Sequence, residues 1–386
     1  MKKMTMLVFM IGMMISLCGC YDYLDIEEKA MVAGFSVDLQ DGEYLITAEI
    51  LASPSTGSEA EITPVYIQAA GSTISNACQK LYNSSSKQID FGHCKIIFVS
   101  KEFASRGLEP LIDLVFHDRQ LKVSVDMMVV NSDEPANEIF LTEPVLTNVI
   151  SYDVSKAIES NQKNFSSVPR GETYKCLNAI EEVGKEAVLP DIEIVKQEEK
   201  SEFRLSGISY FKNDKLIGHI PVSESIYYMM LTDDYKNCTV PLKVKTENEG
   251  EAHYCSIAPK IQKLALKTKL EGGNDNPKLV LDLKYDLQLI EITNELQIDT
   301  TDDRKRTEDA LAAALKDNLT TFISKVQKEY QCDMLKFGND IYHKRPELKA
   351  VISENWDEMF PDLNFEVNVS VEIKSSGTSK YSIQCE

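Results

Sequence analysis

Hydrophobic positions change their spacing along this chain, and the changes predict its elements. Residues 4–17 run almost without a polar side chain, broken only by Thr5 and Ser16. After a short acidic helix, 30–38 reads as a strand, Gly42 turns it, and 44–51 forms its hairpin partner. The stretch 53–63, rich in Ser, Pro, Gly and Glu, predicts an exposed loop. Ile74, Ala77, Cys78 and Leu81 then share one face of a helix. The run 93–99 reads as a buried strand. Ser100 caps a helix that Gly107 breaks, 109–116 adds another helix, and 121–130 another strand. Strands separated by helices predict an α/β-type first domain. Two more helices are expected at 148–160 and 173–184, joined by a polar loop.

At 195–202 nearly every side chain is charged or polar, which predicts a boundary between an N-terminal domain, 20–198, and a C-terminal domain, 199–386, the latter with two possible subdomains. Beyond it, 203–211, 216–220, 238–245, 255–257, 261–270 and 279–289 are strand-like. Leu279, Leu281, Leu283, Tyr285, Leu287 and Leu289 alternate with polar residues, the period of an antiparallel sheet with one wet face. Thr301 is the expected cap of a long amphipathic helix carrying Leu311, Leu315, Leu319, Phe322, Val326 and Tyr330. Phe365, Val367, Val369, Val371 and Ile373 form a closing half-buried strand. The fold class expected is α+β or mixed α/β with about three domains. Its N-terminal half should be helix-rich, and its C-terminal half antiparallel-sheet-rich with the long helix.

The opening apolar run falls short of the roughly twenty residues of a membrane span. It follows Lys2 and Lys3 and ends in Leu17-Cys18-Gly19-Cys20, an apolar residue and two small ones before a cysteine. That is the layout of a bacterial lipoprotein signal: 1–19 should be removed, and Cys20 should carry a diacylglyceryl lipid with palmitate-type chains. The formal charge of −20 opposes contact with phosphates, so nucleic acid is not an expected partner and anionic headgroups would repel the body. Acyl chains can hold it to a membrane instead. Without Cys18 and Cys20, the remaining cysteines are Cys78, Cys94, Cys176, Cys238, Cys255, Cys332 and Cys385, an odd and scattered set without CxxC spacing. Buried thiols are the favoured reading, with Cys238–Cys255 as a possible bridge.

Catalytic signatures are missing: the chain has no Gly-rich phosphate loop, GxSxG, HExxH or CxxC. The close ligand pairs His93-Cys94 and His253-Tyr254-Cys255 fall short of a zinc set, so no metal is expected. Asp233-Asp234 and Glu181-Glu182 read as solvated surface, and Asp113, His117, Asp118 and Arg119 as an ion-paired helix end. Gly92 before a buried strand suggests a tight turn, with His93 as a candidate contact residue. An enzyme is not expected.

Three stretches resemble one family. The first is Tyr21-Asp22-Tyr23-Leu24-Asp25-Ile26-Glu27-Glu28-Lys29-Ala30 followed by Val32-Ala33-Gly34-Phe35-Ser36-Val37-Asp38, with tyrosine at 21 where the family usually has tryptophan. The second is Gly92-His93-Cys94-Lys95-Ile96-Ile97-Phe98-Val99, followed by Asp118-Arg119 where the family has the reverse order. The third is Cys332-Asp333-Met334-Leu335-Lys336-Phe337-Gly338 with Tyr342, Pro346 and Trp356. Together they resemble the Ger(x)C lipoproteins, the GerAC-like C subunits of spore germinant receptors. The resemblance implies a non-enzymatic subunit, without cofactor beyond its lipid, on the outer face of the spore's inner membrane. Integral-membrane A and B subunits would be its partners, and small nutrients would start germination through the assembly. Asp22, Asp25, Glu27, Gly92 and His93 are the candidate contact residues. A solute-binding lipoprotein serving a transporter is the alternative, and it would be expected to show two similar lobes around a cleft.

Overall fold

The computed structural model describes Met4 and residues 28–52, 63–198, 200–232, 235, 238–248, 251–273, 277–290, 298 and 300–375. Cys20, Asp22, Asp25, Glu27 and Cys385, and the signal 1–19 apart from Met4, lie outside the described residues. Two bodies follow one another along the chain, each around its own sheet.

The first body holds nine strands: β1 (Lys29–Gln40), β2 (Glu43–Ala52), β3 (Thr63–Gly71), β4 (Gln88–Asp90), β5 (Ile96–Ser100), β6 (Asp126–Val130), β7 (Val188–Lys196), β8 (Ser201–Lys212) and β9 (Lys215–Pro221). Their order is β3-β2-β1-β5-β6-β7-β8-β9, with β4 beside β1. The middle strands β1, β5, β6 and β7 run parallel, and antiparallel hairpins flank them. Every residue of β5 and β6 is buried, as continuous apolar runs with both faces covered require. One face packs Ile97, Val99, Met127 and Val129 under α1 (Ile74–Ser84), α2 (Lys101–Arg106), α3 (Glu109–His117) and α5 (Thr173–Glu181). The other packs Ile96, Phe98, Met128 and Val130 under α4 (Ile150–Asn164) and a 3₁₀ turn at Ala136–Leu141.

That second face is polar where it crosses β1 and β2. Ser36, Asp38, Thr47 and Glu49 are all buried there. Asp38 accepts the N–H groups of Ala136 and Asn137, at the start of the 3₁₀ turn. Glu49 accepts those of Ile150 (2.9 Å) and Ser151 (2.8 Å), at the start of α4. Neither element has a side-chain cap of its own. Gly34 keeps the approach open, since a Cβ there would lie 2.2 Å from the Ser151 Oγ.

The second body contains α6 (Val222–Leu231), β10 (Cys238–Thr239), β11 (Leu242–Asn248), β12 (Glu251–Ile257), β13 (Lys260–Glu271), β14 (Lys278–Gln288), α7 (Thr301–Lys325), α8 (Phe337–Lys344), α9 (Lys349–Met359) and β15 (Asn364–Ser375). A four-stranded sheet runs β10-β13-β14-β15, and β11 with β12 forms a separate ribbon. Leu279, Leu281, Leu283, Tyr285 and Leu287 of β14 share one core with Leu311, Leu315, Leu319 and Phe322 of α7. The cap of α7 is Thr300, whose Oγ1 accepts the Asp303 N–H (3.1 Å).

A mixed α/β fold is present, but the expected distribution is reversed. The strand-rich sheet lies in the N-terminal body, the smaller sheet and the long helix lie in the C-terminal body, and there are two bodies rather than about three domains. The physical reason is the hairpin β7–β8. Its polar turn, where Gln197 N–H donates to Lys200 O, carries the charged composition of 195–202, and β8 and β9 beyond it complete the first sheet. The closing strand also departs from an all-antiparallel reading, because β15 runs parallel to β14.

Glu49→Ala would strand two buried backbone N–H groups, so a loss of about 2–4 kcal/mol is expected. An unchanged denaturant midpoint would contradict this account of the second face.

Candidate functional site

The tight turn expected at Gly92 lies between β4 and β5. Cys94 N–H donates to Phe91 O (2.9 Å), and Gly92 N–H donates to Asp90 Oδ1 (2.8 Å). Asp90 also takes a 2.9 Å hydrogen bond from Lys29, which holds its carboxyl below the usual range. Lys95 N–H donates to Ala33 O (2.8 Å), so the turn is stitched to the first residues of β1. His93 is exposed at its tip, beside the point where the chain enters the sheet. The structure thus joins Gly92 and His93 in one turn, while Asp22, Asp25 and Glu27 lie outside the described residues.

Open α/β sheets bind ligands at the carboxyl ends of parallel strands, where the strand order reverses. Here β1 continues outward to β2 and β3, while β5 leads the other way to β6 and β7. The crevice between them holds a cavity of about 210 Å³, lined by Asp38, Ser100, Lys101, Glu102, Asp133 and Glu134. Asp38, the carboxylate that would meet a ligand, is already bonded to the chain's own 3₁₀ turn and to Ser36. Asp38 serves there as a packing joint at the edge of the cavity. Its local signal was the aspartate closing an apolar strand, but its partners lie 98 and 99 residues away.

Other polar groups are paired within the fold. Asp126, buried, takes two hydrogen bonds from Arg170 (Nη2, 2.6 Å; Nε, 3.3 Å), and Asp191 is bonded to His219. Glu182 pairs with Lys185 at 3.1 Å, and Asp113 faces His117 at 3.5 Å. Asp118 instead accepts the Gln120 N–H (2.8 Å). Asp233, Asp234 and the His253 side chain lie outside the described residues. Among the described residues no three His, Cys, Asp or Glu side chains group as metal ligands. Cys238 is a free thiol, so the Cys238–Cys255 bridge does not form. Burial pushes Cys94, Cys176 and Cys238 up to about 12, which keeps them protonated and unreactive.

A clasp joins the two bodies. Asp333, buried, accepts N–H groups from Phe337 (3.0 Å), Gly338 (2.7 Å) and the Trp356 indole (3.0 Å). Its carbonyl accepts the Glu186 N–H (3.1 Å), and Gly184 O accepts the Asn339 N–H (2.8 Å). Gly184, at φ +71°, and Gly338 meet so closely that a Cβ on Gly338 would sit 2.4 Å from Trp356 and 2.8 Å from the Gly184 Cα. Lys212 of β8 bridges Glu186 and Asp357.

Two adjacent family models match this chain. Residues 22–194 fit the spore germination protein N-terminal domain, and 206–377 fit the spore germination B3/GerAC-like C-terminal domain. The chain belongs to the GerAC family. It is 20% identical over 378 residues to the spore germination protein GerQC of Bacillus cereus, covering 97% of each. Against the spore germination protein B3 of Bacillus subtilis (strain 168), identity is 22% over 390 residues, covering 98% of this chain and 99% of that one. The crystal structure of the GerBC protein shares the fold, with a TM-score of 0.55, 18% identity, and coverage of 91% of this chain and 100% of that one.

Within this GerAC chain, the described motif residues are mainly joints of the fold. Gly34 and Asp38 seat the second face of the first sheet, Gly92 makes the turn, and the 332–338 motif is the clasp. His93 and Lys95 are the residues of the 92–99 motif left facing solvent.

Burial pushes the carboxyls of Asp38, Glu49, Asp126, Asp191 and Asp333 upward, Asp333 to about 7. The folded chain therefore holds these protons more tightly than the unfolded chain. Between pH about 4 and about 7 unfolding releases protons, and rising pH favours it. Lowered carboxyls such as Asp90 act in the opposite sense, but at more acidic pH. Stability should fall from pH about 5 to about 7.5, and Asp333→Asn should bring the two denaturant midpoints closer together. A parent midpoint that rises over this interval would refute the assignment.

Proposed function

We propose that this GerAC-family chain is the lipid-anchored C subunit of a nutrient germinant receptor, a non-enzymatic scaffold that contacts integral-membrane A and B subunits. The observation that carries the reading is the match of both halves of one family, in order, at 22–194 and 206–377. The printed names of the relatives speak of spore germination. The lipoprotein pattern ending at Cys20 supports an extracytoplasmic position on the spore's inner membrane. Among the described residues no helix is long and apolar enough to cross a membrane, and a body of formal charge −20 gains nothing from anionic headgroups, so the acyl chains would supply the attachment.

Cys20 precedes Lys29 by nine residues, so a fully extended connection reaches about 30 Å. The His93 turn lies beside the start of β1 and so falls close to the membrane, where it can meet a membrane-embedded partner. Asp22, Asp25 and Glu27 belong to the connection itself. The solute-binding alternative loses support, because the two bodies are built on dissimilar sheets and the Asp38 carboxylate at the crevice is taken up by the chain's own 3₁₀ turn.

Tagged protein from sporulating cells should co-purify with a transporter-like subunit and a second large membrane subunit. Recovery of an ATP-driven importer would overturn the receptor reading. Cys20→Ala should leave a folded protein in the soluble fraction, and its normal retention in membranes would contradict the anchor. His93→Ala should leave stability within about 0.5 kcal/mol of the parent while reducing co-purification of the membrane subunits. Undiminished recovery would remove His93 from the contact surface.

A further inference from the structure

Large exposed apolar side chains are mostly scattered singly over this chain, as at Phe116, Phe165, Tyr254 and Val351, which is ordinary for a protein surface. A group around the loop before α4 is different. Leu141, Val145 and Leu146 are 69%, 68% and 80% exposed, and Tyr66 of the edge strand β3, on the same face of the sheet, is 39% exposed. The Tyr66 ring lies 5.4 Å from that of Phe140, next to Leu141, which makes the two parts continuous. Exposed Glu143, between Leu141 and Val145, is paired with Lys200 at 2.7 Å, and 144–149 carries no charge, in a chain with 26% charged residues.

The loop is braced in this outward position. The Asp153 carboxylate accepts N–H groups from Val145 (2.7 Å), Leu146 (2.9 Å) and Thr147 (3.0 Å). Glu49 ties Tyr66 (3.2 Å) to the first N–H groups of α4. The fold therefore spends buried carboxylates on holding aliphatic side chains in water.

We propose that this braced apolar tip rests in the interfacial layer of the bilayer that carries the lipid of Cys20; the inference rests on the lipoprotein reading above. Position supports it first. Tyr66 pairs with Glu49, and Glu49 with Gly34, so the patch lies two strands, about 10 Å, from the first half of β1. The tether that precedes β1 reaches about 30 Å at most, so the patch is held near the membrane. Charge supports it next. The acidic body is repelled by anionic headgroups, and a tip whose one acid, Glu143, is paired with Lys200 is where close approach meets less repulsion. Size decides between bilayer and protein: four side chains fall well short of the roughly twenty residues a side of a stable protein interface, but suit shallow insertion of a loop.

The test uses the full mature chain with a polarity-sensitive fluorophore on Leu146→Cys, or on Tyr254→Cys as control. The parent chain, labelled alongside, corrects for native thiols. Each is mixed with excess phosphatidylcholine–phosphatidylglycerol vesicles containing spin-labelled lipid. A blue shift and loss of intensity at 146, with neither at 254, is the expected result. A wet, unquenched probe at 146 overturns the proposal whether or not the protein sediments with the vesicles, and sedimentation separately reports the anchor. Equal quenching at both positions, or protection at 146 before vesicles are added, also overturns it, as non-specific adsorption or self-association.

Discussion

The structure depends on buried carboxylates gripping backbone N–H groups far away in sequence. Asp38 and Glu49 reach from the sheet to the starts of two elements that lack caps of their own. Asp333 caps α8 from four and five residues away and adds the indole of Trp356, 23 residues on. The first N–H groups of a helix have no intrahelical acceptor and carry the positive end of its dipole. A carboxylate aimed at them removes several unsatisfied donors at once. The cost is desolvation of the acid, seen in the upward-shifted carboxyls of Asp38, Glu49 and Asp333. Either half alone in the interior is unfavourable, so the pairs specify which helix start sits on which strand.

This explains what could be read in advance. Strands β1, β2 and β5, the first helices, α7 and the alternation of β14 follow from local spacing, and the Gly92 turn from one glycine before an apolar run. The role of the polar positions in β1 and β2 was not legible. Alternation of polar and apolar residues normally marks a wet face, yet Ser36, Asp38, Thr47 and Glu49 are buried beneath elements about a hundred residues later. The reversed distribution of strands has a similar origin. A hairpin whose turn projects from a sheet has the composition of a linker, and pairing across 195–202 is a property of the sheet, not of the stretch. The 332–338 motif was visible as a resemblance, but its work needs Gly184 and Trp356, and no local period connects them.

The clasp has a consequence for a subunit acting as a scaffold. Charges at the junction of the bodies are paired, with Lys212 between Glu186 and Asp357, and two glycines are in contact where any side chain would force the bodies apart. A hinge working as a binding cleft needs slack at this point. Here the fit is close enough to transmit displacement of one body to the other.

The first described strand, β1, lies inside the sheet, bonded to β2 on one side and to β4 and β5 on the other. A pull on the residues before β1 would therefore load the β1 hydrogen bonds on both sides together, in shear, rather than opening an edge strand bond by bond. The same strand carries Gly34 and Asp38, which seat α4 and the 3₁₀ turn. Loading through a central strand would make the first body respond as one unit, and the clasp would extend that unit to the second. Under the anchoring proposed for Cys20, this would fix the geometry of the protein's surfaces relative to the bilayer more firmly than attachment through an edge would.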